Sequence, residues 1–200
     1  MEIQKLTNRI LEISRKNDLS HVGSCLSVLP LLIEIYENKA PEDLVVLDGA
    51  HSHLAHLVVM EELLREGYEL GMGSKFDAEE KLKEFGIHCD RRAGCDVSGG
   101  SLGHGVGISI GLAEAGKRVH CVITDGSLME GSNWEALRIL KERNSNIQIY
   151  ANFNGYTAVA EINRIELGGR LLKFCPTARI YHTKNGEGFD GVQGHYEKAK

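Results

Sequence analysis

The sequence predicts an α/β fold, a three-layer α/β/α sandwich with a mostly parallel, doubly wound sheet. Three observations carry that reading. Short apolar runs with strand character alternate along the chain with segments of helical period. The run at 119–123 is apolar on both faces, as a parallel strand between two helix layers must be. Turn pairs, Asp48-Gly49, Asp125-Gly126 and Asn154-Gly155, follow the strand-like runs.

Taken in order, Ile3, Leu6, Ile10, Leu11 and Ile13 make a helical stripe over 3–17, with charges between them. A second helix is expected over 27–38, around the apolar run 28–33. Leu44–Leu47 reads as a short buried strand that Asp48-Gly49 ends. The segment 54–65 is helical again, with Gly67 as its stop, and Asp77 suits the N-cap of a helix running to Phe85. Seven glycines fall within 86–107, a loop, and a helix is expected from about Ser101 to Glu114, closed by Gly116. Then come a strand at 119–123, a helix at 134–143, a strand at 147–150, a helix at 161–174 and a last strand at 178–181. The expectation is one domain over residues 1–200.

Composition limits the function. Apolar residues at 42% and charged residues at 26% of 200 are those of a globular chain. With 23 basic against 28 acidic residues, the net charge of −5 argues against a dedicated nucleic-acid binder. No apolar run approaches the roughly 20 residues of a membrane span. The first residues have no secretory pattern, and five scattered cysteines contain no CxxC pair. A cytoplasmic protein with reduced thiols is the expectation.

In parallel α/β sheets, ligands collect at the carboxyl ends of strands. Two such ends carry oxygen ligands, Asp125 and Asn154, 29 residues apart with a crossover helix between. They can converge on one hard cation, with a backbone carbonyl near Tyr156 as a third oxygen. Gly126 removes a Cβ where an anionic ligand has to come close.

Thr124-Asp125-Gly126, then 130–136 (Glu-Gly-Ser-Asn-Trp-Glu-Ala), then Asn154-Gly155, resemble the cofactor motif of transketolase-like thiamine-diphosphate enzymes. Other segments resemble that family in the same order along the chain. They are Ser20-His21-Val22-Gly23-Ser24, Ala50-His51, Gly86-Ile87-His88, Gly100-Ser101-Leu102-Gly103-His104-Gly105, the 183–188 segment and Gly194-His195-Tyr196. The resemblance implies the thiamine-diphosphate-binding fold. It implies thiamine diphosphate held through Mg²⁺ (or Ca²⁺) on Asp125, Asn154 and the Tyr156 carbonyl. Thr124, Gly126, His51 and His195 are implied at the diphosphate or the reacting centre, Gly100 and Leu102 at the aminopyrimidine, and Tyr156 near the thiazolium. His21, His51, His88 and His195 are the implied catalytic histidines, facing substrate hydroxyls or moving protons.

The implied activity is transfer of a two-carbon ketol unit between sugar phosphates. The chain resembles the N-terminal subunit of a split transketolase, so a separate pyrimidine-binding subunit is implied, in a homodimer or heterotetramer. In that assembly the apolar surface of 99–112 and the helix it enters becomes interface. Thr124 stands where the family has glycine, Val22 and Cys89 where it has proline, and the stretch from Gly155 to Ala178 is short by a strand–helix unit. These departures motivate an alternative, an inactive homologue serving assembly or regulation. Deoxyxylulose-phosphate-synthase chemistry is a second alternative.

Two other motifs are set aside. The run 51–56 nearly spells a His-x-His-x-Asp-His zinc signature, but Ala55 replaces the aspartate. There the helical spacing puts His53 and His56 on one face without His51. The segment 111–117 resembles a P-loop until Arg118, and it leads from helix to strand, the reverse of that motif.

Overall fold

In the computed structural model, residues 1–70, 76–143, 145–157, 160–184 and 198 are described. Seven helices and four strands alternate among them: α1 (Ile3–Lys16), α2 (Val22–Asn38), β1 (Leu44–Leu47), α3 (His53–Arg65), α4 (Ala78–Phe85), α5 (Gly105–Glu114), β2 (Val119–Thr124), α6 (Gly131–Arg143), β3 (Ile147–Phe153), α7 (Arg164–Phe174) and β4 (Arg179–His182). The strands form one parallel sheet in the order β1-β2-β3-β4. Its two faces pack against different helices. Val45, Leu47, Val122 and Tyr150 join the core under α1 to α4, while Cys121, Ile123, Ile149, Ala151 and Phe153 join the core under α5 to α7. The three-layer sandwich with a parallel sheet is therefore as expected.

The caps follow the sequence reading. Asp77 accepts the Glu80 N–H at 2.9 Å. Gly67 and Gly116 take the left-handed conformation (φ +88° and +84°) that closes α3 and α5. Five boundaries differ by three residues or more: α6 begins at Gly131 instead of 134, α7 at Arg164 instead of 161, and the other three have a visible cause. Helix α2 begins at Val22, five residues before the expected start at 27, because His21 turns the chain in the left-handed region (φ 62°) and Cys25 N–H already reaches the His21 carbonyl. Helix α5 begins at Gly105, not Ser101. Strand β3 runs on to Phe153, since Ile123 and Thr124 pair with Ala151 and Asn152.

The late start of α5 has a single cause. Asp48, buried at the end of β1, accepts the backbone N–H groups of Gly103 (3.1 Å), His104 (2.9 Å) and Gly105 (2.6 Å). It also accepts the Asn133 side-chain amide at the start of α6 (2.9 Å). A carboxylate at a helix N-terminus satisfies donors that have no partner within the helix and complements its dipole. The approach is so close that a Cβ on Gly105 would lie 2.5 Å from Asp48 Cβ. Gly103 (φ +90°) has the same constraint against Ser132 Oγ, at 2.5 Å.

Asp48→Ala strands these buried donors, and unpaired buried groups cost about 1–3 kcal/mol each. Urea unfolding of Asp48→Ala is expected to show a loss of about 3 kcal/mol or more, with a smaller loss for Asp48→Asn, whose amide oxygen still accepts. A loss below about 1 kcal/mol for Asp48→Ala would show that the loop is held by other contacts.

Candidate functional site

At the carboxyl edge of the sheet, a cleft of about 200 Å³ opens between the first turns of α2 and the ends of β2 and β3. It is lined by His21, Ser24 and Val28 from α2, and by His51 and Ser52 after β1. His88, Gly100 and Leu102 enter it from the glycine-rich loop. Thr124, Asp125 and Gly126 follow β2, and Asn152, Asn154, Tyr156 and Thr157 come from β3 and its exit. Ten residues singled out in the sequence are thus brought together: His21, His51, His88, Gly100, Leu102, Thr124, Asp125, Gly126, Asn154 and Tyr156. His195 lies outside the described residues.

Parallel register explains the convergence. Thr124 of β2 pairs with Asn152 of β3, so Asp125 and Asn154 leave the sheet at the same edge. Asp125 is buried, and its Oδ2 accepts the Gly155 N–H at 2.6 Å while Oδ1 accepts the Gly126 N–H at 3.2 Å. The carboxylate therefore grips the turn that carries Asn154. Burial pushes the Asp125 carboxyl up to about 6, with the Gly155 and Gly126 N–H groups opposing the shift. Asn154 Oδ1 accepts the Tyr156 N–H (3.0 Å), which folds the turn back over the cleft. Asp125 and Asn154 bring a buried carboxylate and an amide oxygen to the lining of one cleft. That chemistry fits a hard divalent cation.

Thr124, which stands where the motif it resembles has glycine, is occupied locally. Its Oγ1 accepts the Ser127 N–H at 3.1 Å and fixes the turn Ser127–Met129. Gly126 sits in an ordinary helical conformation (φ −59°), and a Cβ there would stand 3.4 Å from Leu102 Cδ1, in the mouth of the cleft. The His21 and His51 rings lie 5.1 Å apart between centroids, and His88 is exposed at the rim with Gly100 beside it.

Sequence reasoning missed the supporting layer. Ser27 Oγ in α2 accepts the side-chain amides of Asn152 (3.0 Å) and Asn154 (3.4 Å), and Asn152 Oδ1 accepts the Thr183 hydroxyl (2.7 Å). The alternation of Asn152 with Asn154, just past the end of β3, is the signal that could have found Asn152. Ser27, inside an apolar helix, had none.

The family model described as 1-deoxy-D-xylulose-5-phosphate synthase matches residues 3–183. The chain is 35% identical over 104 residues to mouse transketolase-like protein 2, covering 44% of this chain and 15% of that protein. To human transketolase it is 38% identical over 82 residues, 38% of this chain and 12% of that one. It thus spans less than a sixth of these relatives. Among solved structures, transketolase from Leishmania mexicana superposes with a TM-score of 0.64 at 19% identity, covering 87% of this chain and 31% of that one. A transketolase mutant from Pichia stipitis gives 0.66 at 20% identity, over 86% and 30%. The chain belongs to the 1-deoxy-D-xylulose-5-phosphate synthase family and carries a transketolase-like N-terminal domain with the thiamine-diphosphate-binding fold.

Proposed function

We propose that this chain binds the diphosphate end of thiamine diphosphate and serves a transferase that moves a two-carbon ketol unit between sugar phosphates. The observation that carries this reading is the convergence of ten motif residues, spread from His21 to Tyr156, on one cleft. Asp125, Asn154 and the Tyr156 carbonyl would hold Mg²⁺ or Ca²⁺, and with it the diphosphate. In this reading the metal, not lysine or arginine, neutralises the ligand, which suits a chain of net charge −5. When bound, the cofactor supplies the carbanion chemistry of ketol transfer. The chain's own share is placement. Gly126 leaves the diphosphate room, with Thr124 and His51 beside it. Gly100 and Leu102 form a platform for the aminopyrimidine, and Tyr156 one for the thiazolium. His21 and His88 reach substrate hydroxyls or move protons. His195 completes the proposed set.

The cleft is small beside the roughly 300–1,000 Å³ of pockets that enclose a whole ligand of this size. That supports a site completed by a pyrimidine-binding partner chain. The outer face of α5 agrees: Gly107 and Gly111 are exposed with open space before them, and Ile108 is 37% exposed. It is an apolar, finely stippled surface suited to a homodimer or heterotetramer contact. Five free cysteines suit a reducing cytoplasm. Among the described residues, no helix is long and apolar enough to cross a membrane.

The family model favours a second reading, formation of 1-deoxy-D-xylulose 5-phosphate. Product analysis in the presence of the partner chain separates the two: a new ketose phosphate of transferred length supports ketol transfer, and deoxyxylulose phosphate supports the second. Ketol transfer by this chain alone refutes the need for a partner.

Calorimetric titration of thiamine diphosphate with Mg²⁺ tests the site itself. Gly126→Ala keeps the backbone conformation, so the expected result is an unchanged melting temperature with affinity reduced at least about tenfold, or about 1.4 kcal/mol. Unchanged affinity would place the diphosphate elsewhere.

Asp125 gives a pH prediction. Its carboxyl titrates near 6 in the fold against 3.8 in the unfolded chain. A raised value means that this group's stabilisation is complete below the unfolded value and lost as pH rises through the folded one. Metal-free protein is expected to lose roughly 3 kcal/mol between about pH 3 and pH 7 from this group. Asp125→Asn should flatten that loss and abolish stabilisation by Mg²⁺ with thiamine diphosphate, both read by denaturant titration. A variant still stabilised by cofactor would remove Asp125 from the site.

A further inference from the structure

Behind the cleft, α3 and the loop that follows α4 meet in a cluster the proposed chemistry does not use. The ligand atoms of His56, Cys89 and Cys95 all lie within 4.8 Å of one another, and all three residues are buried. His56 Nδ1 stands 3.5 Å from Cys95 Sγ, while its Nε2 is hydrogen-bonded to the Tyr36 hydroxyl. His53, three residues earlier on the same helix face, stands outside that 4.8 Å set but is the second imidazole that bears on the Cys95 thiol. Its Nδ1–H donates to the Gly86 carbonyl at 3.3 Å, which leaves a lone pair on Nε2. That Nε2 is buried, on a residue with no exposed surface, and has no hydrogen-bond partner.

This is the arrangement of a metal site. His56 spends Nε2 on an outer partner, the Tyr36 phenol, and turns Nδ1 to the Cys95 thiol, as metal-bound histidines do; His53 spends Nδ1 on a carbonyl and has no partner on Nε2. Two ligands of one tetrahedral zinc, sulfur at about 2.3 Å and nitrogen at about 2.0 Å, stand about 3.5 Å apart, which is the His56–Cys95 separation. Two thiolates and two neutral imidazoles make a closed, neutral Cys₂His₂ set for Zn²⁺, and the sulfurs disfavour Mg²⁺ or Ca²⁺.

We propose that His53, His56, Cys89 and Cys95 form a structural zinc site that fastens the 86–100 loop to α3 beside the cleft. On loading, both cysteine protons pass to solvent water and the two thiolates balance the ion's charge. The loop gains from such a pin. His88, the residue before Cys89, lines the cleft, and the Cys89 carbonyl accepts the Gly99 N–H at 3.0 Å beside Gly100. The site is closed, so the ion has a structural role and takes no substrate.

The test is elemental analysis of the full chain purified without a histidine tag, with and without zinc in the growth medium. About one zinc per chain is expected, falling below about a tenth in the double variant Cys89→Ser/Cys95→Ser and retained in Cys175→Ser. Tyr36→Phe should keep the metal but weaken its affinity roughly 10- to 100-fold in competition with a chromophoric chelator. Should the double variant fail to fold, Co²⁺ exchanged into the unaltered protein decides: tetrahedral visible bands with thiolate charge transfer support the site. Zinc persisting in a folded double variant, cobalt bands without thiolate charge transfer, or a zinc-free protein in which Cys89 and Cys95 react as free thiols or isolate as a disulfide would each overturn it. None of these readings depends on thiamine diphosphate.

Discussion

A single buried carboxylate, Asp48, sets where everything at the sheet's carboxyl edge can sit. Its two oxygens take three backbone N–H groups of the glycine-rich loop and one amide of α6, so one side chain joins β1, the start of α5 and the start of α6. A buried carboxyl group is tolerated only when its oxygens find donors, and here the fold is built to supply them. The cost falls on the backbone: Gly103 and Gly105 must lack side chains for the donors to come close enough. Leu102, next to these glycines, is thereby fixed in front of Gly126, which gives the cleft one wall.

The second buried carboxylate at this edge has fewer donors. Asp125 is held chiefly by two backbone N–H groups, and burial drives its carboxyl up to about 6. The contrast separates a structural carboxylate from one able to bind a cation. Where donors saturate both oxygens, a cation has no lone pairs to take; where they do not, a divalent ion relieves the desolvation that the fold alone leaves uncompensated. The two residues lie on adjacent strands and each follows or ends a short apolar run, so their difference comes from the loops around them.

This explains how far the sequence could be read. Strand ends, caps and the parallel sheet were legible because apolar period and turn pairs are local signals, and so the ten cleft residues could be named from motifs alone. Asp48-Gly49 was read as a turn, since the donors that define Asp48 lie 55 to 57 residues away on the backbone and 85 away on Asn133. The early start of α2 was hidden by Gly23 and Ser24, weak helix formers whose place in the helix is settled by packing. His53 and His56 were correctly placed on one face of a helix, yet a zinc reading failed there for want of further ligands. The missing ones, Cys89 and Cys95, arrive from a loop more than thirty residues on. Local spacing cannot show such a meeting.

That loop is also where restraint is most needed. Between α4 and α5 the chain holds only one short turn, Arg91–Ala93, yet it must present His88 and Gly100 to the cleft in fixed positions. Regular hydrogen bonding cannot hold it, and the loop is rich in glycine, which makes ordering entropically costly. Cys89 stands where the motif it resembles has proline, a residue that stiffens a loop by fixing φ. A metal ligand at the same position restrains the chain by a different means, through a cross-link to α3 instead of a ring in the backbone. On this view the histidines of α3 and the cysteines of the loop form one device, and its purpose is to keep the rim histidine, His88, in register with a cleft whose other walls the sheet already fixes.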